Sequence, residues 1–96
     1  MKPSEALETY RADIRRVVAA NHAANARIFG SVVRGTDNEG SDLDLLIDPL
    51  PRLTLFRIAH MQLELEHLLG VRVDIRTPND LPEKIRRIVL HECVPV

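Results

Sequence analysis

The chain has 96 residues, of which 45% are apolar and 28% charged, and a formal net charge of -1. That length lies near the lower limit for a self-sufficient core, so a single domain over residues 1–96 is expected and a second has no room. The near-neutral balance gives no general attraction to nucleic acid or anionic membrane, the 3% aromatic content leaves few stacking platforms, and the lone Cys93 excludes an internal disulfide or a cysteine-built zinc site.

A single thiol suits a reducing, cytoplasmic setting. The N-terminal residues lead into an amphipathic stretch and not the apolar core of a secretory signal, and no run approaches the ~20 apolar residues of a membrane span. Pro3-Ser4-Glu5 carries helix-start chemistry. Leu7, Tyr10, Ile14, Val17 and Val18 then recur at helical spacing, which predicts an amphipathic helix over about residues 4–20 with Arg11, Arg15 and Arg16 on its solvated face. Asn21 to Asn25 break the pattern. Ala26 to Phe29 read as a short buried strand running into a tight turn at Gly30, and Gly35 to Ser41 as an exposed loop.

Leu43, Leu45 and Ile47 alternate with Asp42, Asp44, Leu46 and Asp48, the period-two signature of a strand with one core face and three aspartates opposite. Pro49 and Pro51 end it, and Asp48 is expected to cap the turn that follows. Leu55, Ile58, Ala59, Gln62, Leu65, Leu68 and Leu69 mark a second helix, over about 53–69, that stops at Gly70. Val71, Val73 and Ile75 alternate with Arg72, Asp74 and Arg76 as a third strand, and a turn at Thr77-Pro78-Asn79-Asp80 precedes a last short helix holding Leu81, Ile85, Ile88 and Val89. The expected order is α-β-(short α)-β-α-β-α. Tyr10, Phe29 and Phe56 are expected in the core, and Cys93 in a packing role. The four histidines are scattered, with no zinc-helix spacing.

Chemistry concentrates in two segments. Gly30-Ser31 leaves an apolar run, where a glycine lets backbone approach a phosphate and a serine offers both N–H and O–H donors. Arg34 adds a permanent cation close by. Ten residues after Ser31 comes Asp42-Leu43-Asp44. Two carboxylates at i and i+2 on a strand leave the same face roughly 6 to 7 Å apart. If the strand holding Asp74 lies alongside, three carboxylates surround one cavity. Such a cluster makes electrostatic sense mainly with a hard divalent cation, Mg2+ or Mn2+. Arg72 and Arg76 flank Asp74, where they either neutralise phosphate or pair with the aspartates.

Gly30-Ser31, the ten-residue spacer, Asp42-Leu43-Asp44 and the later Asp74 resemble the signature of the DNA polymerase β-like nucleotidyltransferase superfamily. The fuller strings Phe29-Gly30-Ser31-Val32-Val33-Arg34-Gly35 and Ser41-Asp42-Leu43-Asp44-Leu45-Leu46-Ile47 look like its minimal nucleotidyltransferase (MNT) branch. The likeness covers about residues 26–76. It implies an α/β (α+β) fold with a small mixed sheet flanked by helices. It also implies ATP as substrate, two Mg2+ ions, and AMP transfer to an acceptor hydroxyl. Short members of that branch commonly serve as antitoxins of HEPN-domain RNase toxins, which they bind and adenylylate on a tyrosine. Carried over residue by residue, Asp42, Asp44 and Asp74 are metal-ligating and catalytic, and Gly30, Ser31, Arg34 and Ser41 bind nucleotide. No motif position is degenerate, which favours an active enzyme over a dead binding module.

The shortness of the chain adds an argument of its own. With no extra domain to hold an acceptor, the acceptor is expected to be a docked macromolecule. Leu50, Leu53, Leu55 and Phe56, with Val94-Pro95-Val96, offer either apolar docking surface or plain core packing and a flexible tail. A binding-only antitoxin, or transfer to a small molecule or an RNA end, are the alternatives.

Overall fold

A computed structural model describes the whole chain, Met1–Val96. Helix α1 (Pro3–Ala20) opens with proline in its first turn, where the missing N–H costs nothing, and Glu5 accepts a hydrogen bond from the Lys2 N–H at 2.8 Å. Strand β1 (Ala23–Phe29) leads through Gly30 into the one-turn helix α2 (Ser31–Arg34), and β2 (Leu43–Pro49) follows the loop. Helix α3 (Leu55–Leu69) begins at Thr54, whose hydroxyl accepts from the Arg57 N–H, and stops at the left-handed Gly70. Strand β3 (Val73–Arg76), a 3-10 turn (Pro78–Asp80), helix α4 (Glu83–Glu92) and the two-residue strand β4 (Val94–Pro95) complete the chain.

The four strands form one mixed sheet in the order β3-β2-β1-β4. Strand β1 runs antiparallel to β2 and to β4, while β2 and β3 are parallel, joined through α3. The expected small mixed sheet flanked by helices is therefore present. One sheet face packs on α1 and α3, burying Ile14, Val17, Ile28, Leu43, Leu45, Ile47, Met61 and Leu65. Fully burying side chains of this size is worth roughly 1.5–3 kcal/mol each, so this layer holds the fold together.

Five expectations need correction. Strand β1 starts at Ala23, three residues early, because Asn25 takes a positive φ and a bulge between Ala24 and Arg27 breaks the alternation. Leu46, grouped with the polar face, is fully buried in a second small cluster with Leu81 and Val89, since α4 covers that side of the sheet; Phe29 and Cys93 pack against it. Phe56 is 87% exposed and not a core residue. Asp48 caps no turn but accepts from the Arg27 and Asn25 side chains across the β1-β2 pair. The C-terminal residues are no flexible tail: Val94 and Pro95 add an edge strand to β1 and the Val96 N–H donates to the Ala26 carbonyl at 3.0 Å. No helix is long and apolar enough to cross a membrane.

Candidate active site

The strand register does what the two motif segments require. Asp44 is the pairing partner of Phe29 on one side and of Asp74 on the other, so the residue before Gly30 and the third carboxylate flank it across the sheet. Neighbouring strands lie about 4.8 Å apart, and Asp44 and Asp74 leave the same sheet face at that separation. Asp42 stands just before β2, anchored by the Leu43 N–H donating to the Arg72 carbonyl at 2.8 Å. All three carboxylates thus gather at one end of the sheet, beside the β1-α2 turn.

Gly30 is required there twice over. Its φ of 78° lies in the left-handed region, and a Cβ on it would overlap the Asp44 carboxylate. The Asp-x-Asp segment and the glycine turn are in contact through that missing side chain. Ser31 opens α2, and Arg34 closes it. Ser41 is placed differently from these: its hydroxyl accepts the Asn38 N–H at 2.9 Å within its own loop.

Electrostatics identify Asp44 as the strained member. Burial, then the charges of Asp74 and Asp42, push its pKa up from 3.8 to about 6, against the opposing pull of Arg34 and Arg76. The other two aspartates each have an arginine beside them: Asp74 has Arg76 of β3, and Asp42 has Arg72, which precedes that strand. Arg76 Nε forks onto both Asp74 oxygens at 3.2 and 3.3 Å. Arg72 Nε lies 3.0 Å from Asp42 Oδ1, but off the line of its N–H, so that oxygen is shut from water without a hydrogen bond. With Asp42 and Asp74 turned onto arginines, no three ligand side chains converge on one point. Even so, the donor set fits a hard divalent cation: it is all carboxylate oxygen, one oxygen is orphaned, and the pKa of one carboxylate is raised, first by burial and then by neighbouring anions whose repulsion a cation would offset.

One contact carried no local sequence signal. Glu92, the last residue of α4, accepts the Gly30 N–H on Oε1 at 3.2 Å and places Oε2 3.8 Å from Arg34 Nε. Sixty-two positions separate it from Gly30, and its sequence neighbours mark nothing but the end of a helix. The larger cavities lie elsewhere. One of about 500 Å³ sits at the far end of β1 among Ala23, Ala24, Leu50 and Val96, and one of about 290 Å³ lies between α1 and α2; neither includes an aspartate of the site, which is open to solvent at the sheet's end.

A small mixed sheet that carries Gly-Ser on one strand end and Asp-x-Asp on its neighbour defines a nucleotidyl-transfer enzyme class. Comparison with known proteins agrees. Residues 11–96 match the model of the nucleotidyltransferase domain family. A solved minimal nucleotidyltransferase superposes with a TM-score of 0.87 at 42% identity, covering 97% of this chain and 95% of that one. The protein adenylyltransferase MntA of Thermococcus cleftensis is 41% identical over 69 residues, 72% of this chain and 70% of the relative. A protein named as an adenylyltransferase in Methanocaldococcus jannaschii is 35% identical over 71 residues, 74% and 76% of the two chains. A toxin-antitoxin crystal structure containing AMP-PNP shares the fold, with a TM-score of 0.75 at 19% identity over 88% of this chain and 69% of that one. The chain belongs to the nucleotidyltransferase family, in its minimal branch.

Proposed function

We propose that residues 1–96 act as one minimal nucleotidyltransferase domain that transfers AMP from ATP to a hydroxyl of a partner protein. The partner is a toxin that the chain neutralises as antitoxin, a HEPN-domain RNase modified on tyrosine. The observation that carries the reading is the gathering of Asp42, Asp44 and Asp74 at the end of the sheet against Gly30. Relatives named protein adenylyltransferases, and the toxin-antitoxin complex with the same fold, support the choice of acceptor.

In this mechanism Gly30, Ser31 and Arg34 hold the β- and γ-phosphates, and Ser41 shapes the loop that delivers Asp42. Asp42, Asp44 and Asp74 would hold Mg2+, two ions in the full site, which neutralises the charge that builds on the phosphates. Asp74 takes the proton from the acceptor hydroxyl as its oxygen bonds to the α-phosphorus. The bond from that phosphorus to the β-bridging oxygen breaks, and pyrophosphate leaves. The open site suits an acceptor presented by another macromolecule.

Incubation with labelled ATP, Mg2+ and the product of the neighbouring gene should label that product, and the double variant Asp42→Asn, Asp44→Asn should not. Equal labelling by the double variant removes these carboxylates from the chemistry. A second reading, neutralisation by binding alone, draws on the exposed Leu55, Phe56 and Leu63. A double variant that no longer labels the toxin but still silences it at unchanged stoichiometry selects that reading.

A further inference from the structure

Glu92 has no part in the chemistry just described, yet its carboxylate lies in the phosphate cradle. It takes the Gly30 N–H on one oxygen and faces the Arg34 guanidinium with the other, and its side chain is 22% exposed. These are the backbone donor and the cation that the proposed function gives to the triphosphate. A carboxylate and a phosphate present the same thing to such groups, an anionic oxygen acceptor, and the two cannot hold them together.

The position of Glu92 on its own helix sharpens the point. It is the last residue of α4, where the helix's free carbonyls give the terminus partial negative charge and disfavour an anion. The attraction that holds it comes from the cradle. Release also needs little rearrangement, because the side chain can swing out about its own torsions while α4 stays seated on Val89.

We infer that Glu92 is an intramolecular anion that occupies the phosphate cradle and is displaced by the incoming nucleotide, so the chain lowers its own affinity for ATP. The inference rests on the assignment of Gly30 and Arg34 to the phosphates.

The test is the dissociation constant of Mg-ATP, by calorimetry, for the full chain and for Glu92→Gln, Glu92→Ala, Arg34→Ala and Glu83→Gln. Glu83 stands at the opposite end of α4, paired only with Arg87 at the surface, and its replacement changes net charge by the same amount. Both Glu92 variants should bind Mg-ATP about three- to tenfold more tightly, Arg34→Ala more weakly, and Glu83→Gln like the unaltered chain. If Arg34→Ala binds as tightly as the unaltered chain, the cradle assignment fails and the inference with it. If Arg34→Ala weakens binding but the Glu92 variants bind equally or less tightly, the cradle stands and Glu92 is a structural brace, not a competitor. Tightening by Glu83→Gln to the same degree makes the effect one of general charge and overturns the inference too. Far-ultraviolet circular dichroism on each variant, with the isosteric Glu92→Gln as reference, keeps a folding defect from passing as a binding effect.

Discussion

Gly30 concentrates the site's constraints in one residue. Its positive φ strains any L side chain, and the overlap with the Asp44 carboxylate adds a second cost that no rotamer of the incoming residue can relieve, because the clash is at Cβ. Gly30→Ala should therefore destabilise the chain by roughly 1–3 kcal/mol, read as a lower urea midpoint with unchanged slope. It should also push the Asp44 carboxylate off its position and so abolish nucleotidyl transfer even under conditions where the variant is fully folded. A variant that keeps both stability and transfer would show that the turn relaxes freely, contrary to the packing described.

At the scale of elements, the strands and helices with clean periodicity were legible and the irregular ones were not. Strand β2 announced itself because Leu43, Leu45 and Ile47 alternate without a break, and the end of α3 because Gly70 follows Leu69. The start of β1 was hidden by the left-handed Asn25, and β4 by its length of two residues, too short to show any period. Leu46 and Phe56 mark a different limit, since alternation and helical spacing say which residues share a face but not which face finds a partner. Leu46 is covered by α4, whereas Phe56 and Leu63, seven apart on α3, face solvent at 87% and 67% exposure, with His60 and His67 on the same side. Replacing Phe56 and Leu63 together by glutamine should leave the unfolding free energy, read from urea denaturation, unchanged to within about 1 kcal/mol. If this stripe is the docking surface, the same pair of substitutions should weaken co-purification with the proposed toxin partner. Gly30, Asp42 and Asp44 were readable because their spacing is local, and Asp74 because it stands on the polar face of a cleanly alternating strand and matches the later carboxylate of the resembled signature, while Glu92 was invisible because its place in the site comes from the packing of α4.

Over the whole molecule, the carboxylate end of the sheet is a region that stores unfavourable energy. Asp44 binds its proton more tightly in the folded chain, with a pKa of about 6 against the ordinary 3.8. Below 3.8 the group is neutral in both states and imposes no penalty. Between 3.8 and about 6 the folded chain holds more protons than the unfolded one, so stability falls as pH rises, and above about 6 the penalty is complete. In metal-free buffer, Asp44→Asn should remove this slope and stabilise the chain at pH 7 by about 1 kcal/mol, a figure reduced for solvent screening of a half-exposed group. A steeper fall in the variant than in the unaltered chain would contradict the assignment. If Asp44 holds Mg2+ as proposed, binding must also release that proton, so affinity for the ion should drop as pH is lowered through about 6.

The contact between Gly30 and Asp44 also bears on how such a sequence can drift. As long as the aspartate stays, a side chain at position 30 must displace its carboxylate, whether or not a nucleotide is ever bound. A descendant that first replaced the aspartate with a shorter residue would lose the overlap, leaving only the backbone strain to hold the glycine. Loss of glycine at this position in a lineage should thus follow loss of its neighbour's carboxylate, and inactivation should leave its trace at the aspartate before the glycine.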